Sequence, residues 1–137
     1  MYCFNFRHMT NYRSRILDDT IAITKALADP QRLRALMALR DGELCACQLT
    51  ELLRLANSTV SKHMSILRQA RLVDVRRNGR WSYFRRTDGE ASKEAADALA
   101  WLDRTLARAP QIEADARRVA DIRRLDPEEL CRIQSRK

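Results

Sequence analysis

A mainly α-helical fold, a winged helix-turn-helix with a two-stranded β-hairpin wing, is what this sequence predicts, and three observations predict it. Two short amphipathic stretches, Leu49 to Ala56 and Ser58 to Gln69, are separated only by a brief turn near Ala56 and Asn57. A hairpin pattern follows at once, with Asn78-Gly79 between two arms of alternating character. The basic residues concentrate on this stretch: nine arginines and lysines from Arg54 to Arg86 face a single acid, Asp74, an excess equal to the net charge of +8 carried by all 137 residues. The rest of the chain is neutral.

The first amphipathic stretch places Leu49, Leu52, Leu53 and Ala56 at spacings i, i+3, i+4 and i+7, one face of a helix. In the second, Val60, Met64 and Leu67 recur four and three residues apart and share a face, while Ser58, Thr59, Ser61, Lys62 and Arg68 fall away from it. Asn57 or Ser58 is expected to cap this helix. Small hydroxyls and a cation at a helix N-terminus suit the major groove of DNA, where base edges present donors and acceptors. In the hairpin, Val73 and Val75 alternate with Asp74 and Arg76, and Trp81 and Phe84 fill the second arm. Asn-Gly tolerates the positive φ values of a tight turn. Taken alone, a basic run is most often a solvated face. Here it coincides with a motif that needs to neutralise phosphates, which points to nucleic acid.

Upstream, residues 1–12 are expected to form a mobile segment, although Tyr2, Phe4, Phe6 and Tyr12 could dock on something. A first helix is expected from about Arg13 to Leu27, with Ile16, Leu17, Thr20, Ile21, Ile23 and Leu27 in a broad stripe. Asp29-Pro30 restarts a helix, because aspartate caps and proline at the first helical position has no N–H to lose. Gly42 ends that helix. Glu43-Leu44-Cys45 is read as a short extended segment pairing with the wing.

Downstream, residues 89–106 read as a helix striped by Ala91, Ala95, Ala98, Leu99, Leu102 and Leu106. Residues 111–125 follow as a charged helix carrying Ile112, Val119 and Ile122, and Asp126-Pro127 starts another leading to Leu130, Cys131 and Ile133. The organisation expected is a domain over 13–107 with a helical C-terminal tail over 108–137. Wide stripes on both the first and the 89–106 helices predict a molecule that is dimeric through its terminal helices, with Ile16, Leu17, Ile23, Leu99 and Leu102 at a twofold interface. Two recognition helices would then address two half-sites.

The length suits one domain. No apolar run approaches the ~18–20 residues of a membrane span, and the N-terminus lacks the sustained apolar core of a signal peptide, so a cytoplasmic location and no membrane partner are expected. The chain has no phosphate loop, no CxxC pair and no Ser-His-Asp set, which argues against an enzyme and a catalytic cofactor.

Four cysteines, Cys3, Cys45, Cys47 and Cys131, are expected to be reduced thiols in that compartment. Cys45-Ala46-Cys47 is either small apolar packing or a site for soft ions such as arsenic(III), antimony(III), cadmium, lead or copper(I). Zinc would usually take four ligands, and no histidine is near in sequence.

Several motifs together resemble the ArsR/SmtB family of metalloregulatory repressors, in its arsenic(III)-responsive branch. They are Glu43-Leu44-Cys45-Ala46-Cys47, the run Leu55-Ala-Asn-Ser-Thr-Val-Ser-Lys-His-Met64, the wing residues Leu72-Val73, Asn78-Gly79-Arg80 and Tyr83, and Leu27-Ala-Asp-Pro-Gln-Arg-Leu-Arg34. The likeness covers about residues 13–107. It implies a homodimeric repressor of a resistance operon, bound to double-stranded operator DNA and released by arsenic(III) or antimony(III) as inducer. Cys45 and Cys47 carry over as ligands of the soft metalloid ion. The typical motif has a further cysteine where this chain has Thr50, so a third ligand would be Cys131 or Cys3, or a mono-organo arsenical would need only two sulfurs. Residues 89–107 lack the histidines of a zinc-type site. Ser58, Thr59, Ser61, Lys62, His63 and Arg68 are the expected DNA contacts of the recognition helix, with His63 equally suited to a structural bond inside the helix-turn-helix. Arg76, Arg77 and Arg80 are those of the wing. A thiol-based redox or sulfide-sensing repressor of the same fold is the alternative.

Overall fold

The computed structural model describes residues 6–90 and 92–136, with side-chain surroundings from Arg15 onward. Cys3 and the aromatic residues Tyr2 and Phe4 lie outside the described residues, as do the side chains of Phe6, His8 and Tyr12 and all of Ala91. Helix α1 spans Phe6–Leu27, so it starts ahead of the Arg13 the stripe suggested. The chain then re-enters helix at Asp29, whose extended backbone and carboxylate cap α2 (Pro30–Ala38) by accepting from the N–H groups of Gln31 and Arg32 at 2.8 and 3.2 Å. Burial pushes the Asp29 carboxyl up, but those two N–H bonds and the charge of Arg32 outweigh it and hold it below its ordinary value. A single 3₁₀ turn, Leu39–Asp41, tightens the exit, and Gly42 at φ 140° closes it.

Strand β1 (Leu44–Cys45) leads directly into α3 (Ala46–Leu53), and α4 (Asn57–Gln69) follows after three residues. Arg54 makes the corner in the left-handed region, φ 54° and ψ 41°, and its N–H donates to the Thr50 carbonyl at 2.9 Å. The expected caps of α4 are corrected: Ala56 occupies the cap position without a side-chain bond, and Asn57 and Ser58 already lie within the helix. The predicted apolar face holds, with Val60, Met64 and Leu67 at most 1% exposed.

Strands β2 (Val73–Asn78) and β3 (Trp81–Arg86) form the wing, and β1 adds a third antiparallel strand in the order β1-β3-β2. The register pairs Leu44 with Phe84 and Cys45 with Tyr83 on one side, and Val75 with Phe84 and Asn78 with Trp81 on the other. The two turn residues are therefore Gly79 and Arg80, one place later than the Asn-Gly signal suggested, with Gly79 at φ 61°.

Helix α5 is Lys93–Leu106, capped by Ser92, whose Oγ accepts from the Ala95 N–H at 3.1 Å. Its start lies beyond the expected Gly89. That glycine sits at φ 91° in the preceding turn, where a Cβ would stand 2.8 Å from the Ala96 methyl.

The C-terminal helices α6 (Pro110–Arg123) and α7 (Pro127–Ser135) fold back onto α2 and α3. Ile112, Val119, Ile122 and Leu130 join the same core cluster as Leu36, Leu49, Leu52 and Met64, so the expected boundary at 107/108 falls inside one continuous core. A two-pronged ion pair fixes the seam: Arg34 on α2 donates to both carboxylate oxygens of Asp115 on α6 at 2.7 and 2.9 Å, and Gln111 donates to the same carboxylate. Asp115 is 2% exposed. The core also takes in Ile23, Leu99 and Leu102, three residues expected at a dimer interface. Among the described residues, the large apolar side chains that α1 and α5 leave to solvent are Leu17, Ile21 and Trp101, and Ile16 is half-buried.

Candidate nucleic-acid interface and cysteine site

Helix α4 turns its apolar stripe inward, and the 3.6-residue period therefore presents Ser58, Thr59, Ser61, Lys62 and Arg68 to solvent. All five lie where the sequence reading put them. Lys62 and Arg68 have no ion-pair partner among the described residues, and neither do Arg77 and Arg80 on the wing. These cations are free to meet an external polyanion.

Two of the expected contacts are engaged elsewhere. Arg76 donates to Glu43 at 2.6 Å, and its guanidinium carbon sits 4.5 Å above the Tyr83 ring. The bond to Arg76 holds the Glu43 carboxyl below its ordinary value. Arg76 thus ties the wing to the loop before β1. His63 is half-buried and points back into the fold, its Nδ1 accepting from the Arg32 guanidinium at 3.1 Å. Arg32 also donates to the carbonyls of Ala26 and Lys25 at the end of α1. The structure thus favours the holding role for His63: it locks α4 to the α1–α2 corner. Arg86, another of the nine basic residues, is spent on Asp103 of α5 through bonds of 2.9 and 2.8 Å.

The cysteines lie on the neighbouring flank. Cys45 ends β1 and is the cap of α3, with φ −79° and ψ 163°. Its sulfur accepts from the Gln48 backbone, while its own N–H donates to Gln48 Oε1 at 2.8 Å, a reciprocal capping box. Residues two apart within a helix diverge by about 200°. Because Cys45 stands outside the helix, that obstacle does not apply to the Cys45–Cys47 pair. Cys45 is 1% exposed.

Cys47, in the first turn of α3, is disulfide-bonded to Cys131 of α7 across a Cα–Cα distance of 5.4 Å. The expectation of four reduced thiols is thereby corrected for this pair. Cys45, Cys47 and Cys131 all line one cavity of about 770 Å³, together with the wing segment Arg80-Trp81-Ser82 and with Glu128 and Glu129 of α7. With two of the three sulfurs bonded to each other, no group of three His, Cys, Asp or Glu among the described residues stands ready to hold a metal ion.

What sequence reasoning missed is the grip of α6 and α7 on α3. Arg118 donates to the carbonyls of Glu51 and Leu52 at the end of α3, and Gln134 donates to the Cys47 carbonyl at its beginning. Arg123 holds the carbonyls of Gly42 and Glu43 just upstream. Arg118 and Arg123 lie on a helix the charge pattern had already identified, but nothing local says which carbonyls they meet.

Comparison with known proteins agrees with this geometry. Residues 29–75 match the family described as bacterial regulatory protein, arsR family. An arsenic resistance transcriptional regulator of Pseudomonas putida is 44% identical over 64 residues, 46% of this chain and 50% of that protein. The matched stretch thus spans about half the length of that relative. An arsenical resistance operon repressor of Bacillus subtilis is 37% identical over 76 residues, 55% of this chain and 72% of that protein. Among solved structures, a homodimeric winged helix-turn-helix DNA-binding domain from Mycobacterium bovis superposes with a TM-score of 0.58 at 26% identity, covering 72% of this chain and 87% of that one. The helix-turn-helix, the wing closed by β1 and the matched 29–75 segment lead to one conclusion: the chain belongs to the arsR family of bacterial regulatory proteins, which are regulators of transcription rather than enzymes.

Proposed function

We propose that this chain is a homodimeric transcriptional repressor that binds double-stranded operator DNA through α4 and the wing, and that leaves it when arsenic(III) or antimony(III) is bound by Cys45, Cys47 and Cys131. The observation that carries the reading is the convergence of three cysteines, from β1, α3 and α7, on one cavity walled by the wing. Soft thiolates select soft ions, and an inorganic arsenic(III) centre, with no carbon on any of its three valences, has room for three sulfurs. In the reduced chain Cys47 and Cys131 supply two. Cys45 supplies the third by giving up the N–H···S bond that caps α3. Ser58, Thr59, Ser61 and Lys62 approach the major groove, Arg68 stands at the far end of the same face, and Arg77 and Arg80 reach phosphate or the minor groove. Leu17, Ile21 and Trp101 supply the apolar face on which a second copy docks.

The switch follows from the cap. Withdrawing the Cys45 sulfur leaves the first turn of α3 short of one acceptor, and drawing Cys131 toward it moves α7. Because three residues join α3 to α4, a shift of α3 re-aims the recognition helix. Two recognition helices then no longer match two half-sites, and affinity falls without a clash. Linkage is reciprocal, so bound operator weakens metalloid binding by the same factor.

The test is operator release by arsenite from the reduced chain, followed by fluorescence anisotropy. Cys45→Ser, Cys47→Ser and Cys131→Ser should each bind operator as the parent does and resist release. A Cys45→Ser/Cys47→Ser double variant that still responds fully sinks the site. The Cys47–Cys131 bond favours one second reading, a redox sensor in which oxidation itself releases DNA. Peroxide in place of arsenite distinguishes the two.

A further inference from the structure

We propose that Cys47 and Cys131 form a reversible oxidation site that gates the metalloid cavity: joined by a hydroperoxide, they shut arsenic(III) out while the DNA-reading face keeps its shape. The proposal rests on the ligand reading above and extends it to the regulation of that site.

Placement comes first. The two sulfurs belong to residues 84 apart in sequence, yet they are bonded between the first turn of α3 and the middle of α7. Both residues are half-buried and line the cavity, so a small oxidant entering there reaches them. The third cysteine is protected, since Cys45 is 1% exposed and its sulfur already accepts the Gln48 N–H. An oxidant therefore finds a pair rather than a triad, and the pair closes on itself.

The state of the rest of the fold with the bond closed comes second. The cap on α3 is intact, Gln134 still donates to the Cys47 carbonyl at 2.9 Å, and His63 still accepts from Arg32. Ser58, Thr59, Ser61 and Lys62 remain outward. The disulfide thus coexists with an assembled helix-turn-helix. It removes two of three ligands without the loss of the Cys45 cap that metalloid binding requires. A disulfide sulfur has no thiolate lone pair to give a soft ion, and Cys45 alone cannot hold one.

The chemistry balances with a hydroperoxide as oxidant. The Cys47 thiolate, near the positive end of α3, attacks one peroxide oxygen. The O–O bond breaks, an alcohol or water leaves, and Cys47 becomes a sulfenic acid. The Cys131 sulfur then attacks Cys47, the S–O bond breaks, and water departs with the Cys131 proton. Two thiols are oxidised by two electrons and one peroxide is reduced. A dithiol reverses the step by exchange.

The experiment compares the full-length chain, fully reduced, with the same chain treated with hydrogen peroxide and freed of excess oxidant. Peptide mapping locates the bond, anisotropy follows operator binding, and arsenite is the probe. The expected result is a Cys47–Cys131 linkage, unchanged operator affinity, complete loss of arsenite-driven release, and recovery of release after dithiothreitol. Release of the oxidised chain by arsenite at the concentration that releases the reduced chain overturns the gate and leaves the ligand reading standing. Release by peroxide alone overturns the gate in favour of the redox sensor. A linkage that involves Cys45 also overturns it. A reduced chain that neither binds arsenite nor leaves DNA overturns the ligand reading and the gate together.

Discussion

At the scale of single residues, the cations of the basic stretch divide by what they already touch. Lys62, Arg77 and Arg80 form no ion pair among the described residues, whereas Arg76 and Arg86 are committed to Glu43 and Asp103. Each free cation that neutralises a phosphate should lower the slope of log affinity against log salt by about one unit when replaced by alanine. Lys62→Ala, Arg77→Ala and Arg80→Ala should show that change in a salt titration. Arg76→Ala should show a smaller one, because its charge is already balanced. Equal losses at all four positions would mean that the Glu43 bond opens on DNA. The sequence made the positions of these residues legible but not their partners. Glu43 lies 33 residues from Arg76, and Arg32 lies 31 from His63. Hydrophobic period reports which way a side chain points, not what a distant element brings to meet it. Asp115 illustrates the same limit. The spacing of Ile112, Asp115, Val119 and Ile122 puts it on the buried stripe of α6, but nothing local names Arg34 as the partner that lets a carboxylate sit there. Asp115→Ala leaves that guanidinium without its counter-charge and should cost about 3 kcal/mol in a urea melt.

At the scale of elements, the caps and turns were the most legible features. Asp29-Pro30 opened α2 as read, and the tripeptide Glu43-Leu44-Cys45, too short for periodicity, supplied in Leu44–Cys45 the third strand beside the wing. Misses of a residue or two occurred where the local rule had a competitor. The α4 cap passed to Ala56, and the hairpin turn moved to Gly79-Arg80 because Asn78 pairs with Trp81. The Asp29 cap carries a pH signature. Its carboxyl is held below its ordinary value in the fold, as is that of Glu43. The stability both contribute is complete above the unfolded carboxylate range, about pH 4, and drains away as pH falls through the lower folded values. Asp29→Asn keeps an oxygen acceptor at the cap but cannot titrate. Its thermal midpoint should therefore fall less steeply than that of the parent as pH drops below about 4. An identical acid limb in circular dichroism would assign the sensitivity elsewhere.

At the scale of the whole molecule, the unread part was the return of α6 and α7. Their amphipathic stripes were visible, but a stripe does not say which surface it will cover. That Cys131 would meet Cys47 therefore depended on a packing decision taken 84 residues away. Closing a loop of that length removes unfolded-state freedom worth about 4–5 kcal/mol in the chain-entropy account, an upper figure. Reduction should lower the thermal midpoint by several degrees, and Cys131→Ser should remove the difference between reducing and non-reducing melts. The second assembly-level expectation concerns the exposed apolar residues of α1 and α5. Leu17→Glu or Trp101→Glu should shift sedimentation from dimer to monomer, while Leu99→Glu, in the core, should unfold the chain instead. A parent chain that sediments as a monomer at micromolar concentration would remove the half-site picture.

The C-terminal helices hold α3 and its approach by the backbone: Arg118 and Gln134 donate to main-chain carbonyls of α3, and Arg123 to those of Gly42 and Glu43 just upstream. Every amino acid carries the same carbonyl, so these hydrogen bonds, unlike the Cys47–Cys131 bond and the shared core, are indifferent to the side chains they support. The consequence is modularity. The outward residues of α4 can be exchanged for those that read another operator while the cysteine flank and its supports stay as they are, giving a reporter with new addresses and an unchanged trigger. Transplanting four foreign residues at 58, 59, 61 and 62 should move the preferred sequence and leave the arsenite dose for release where it was.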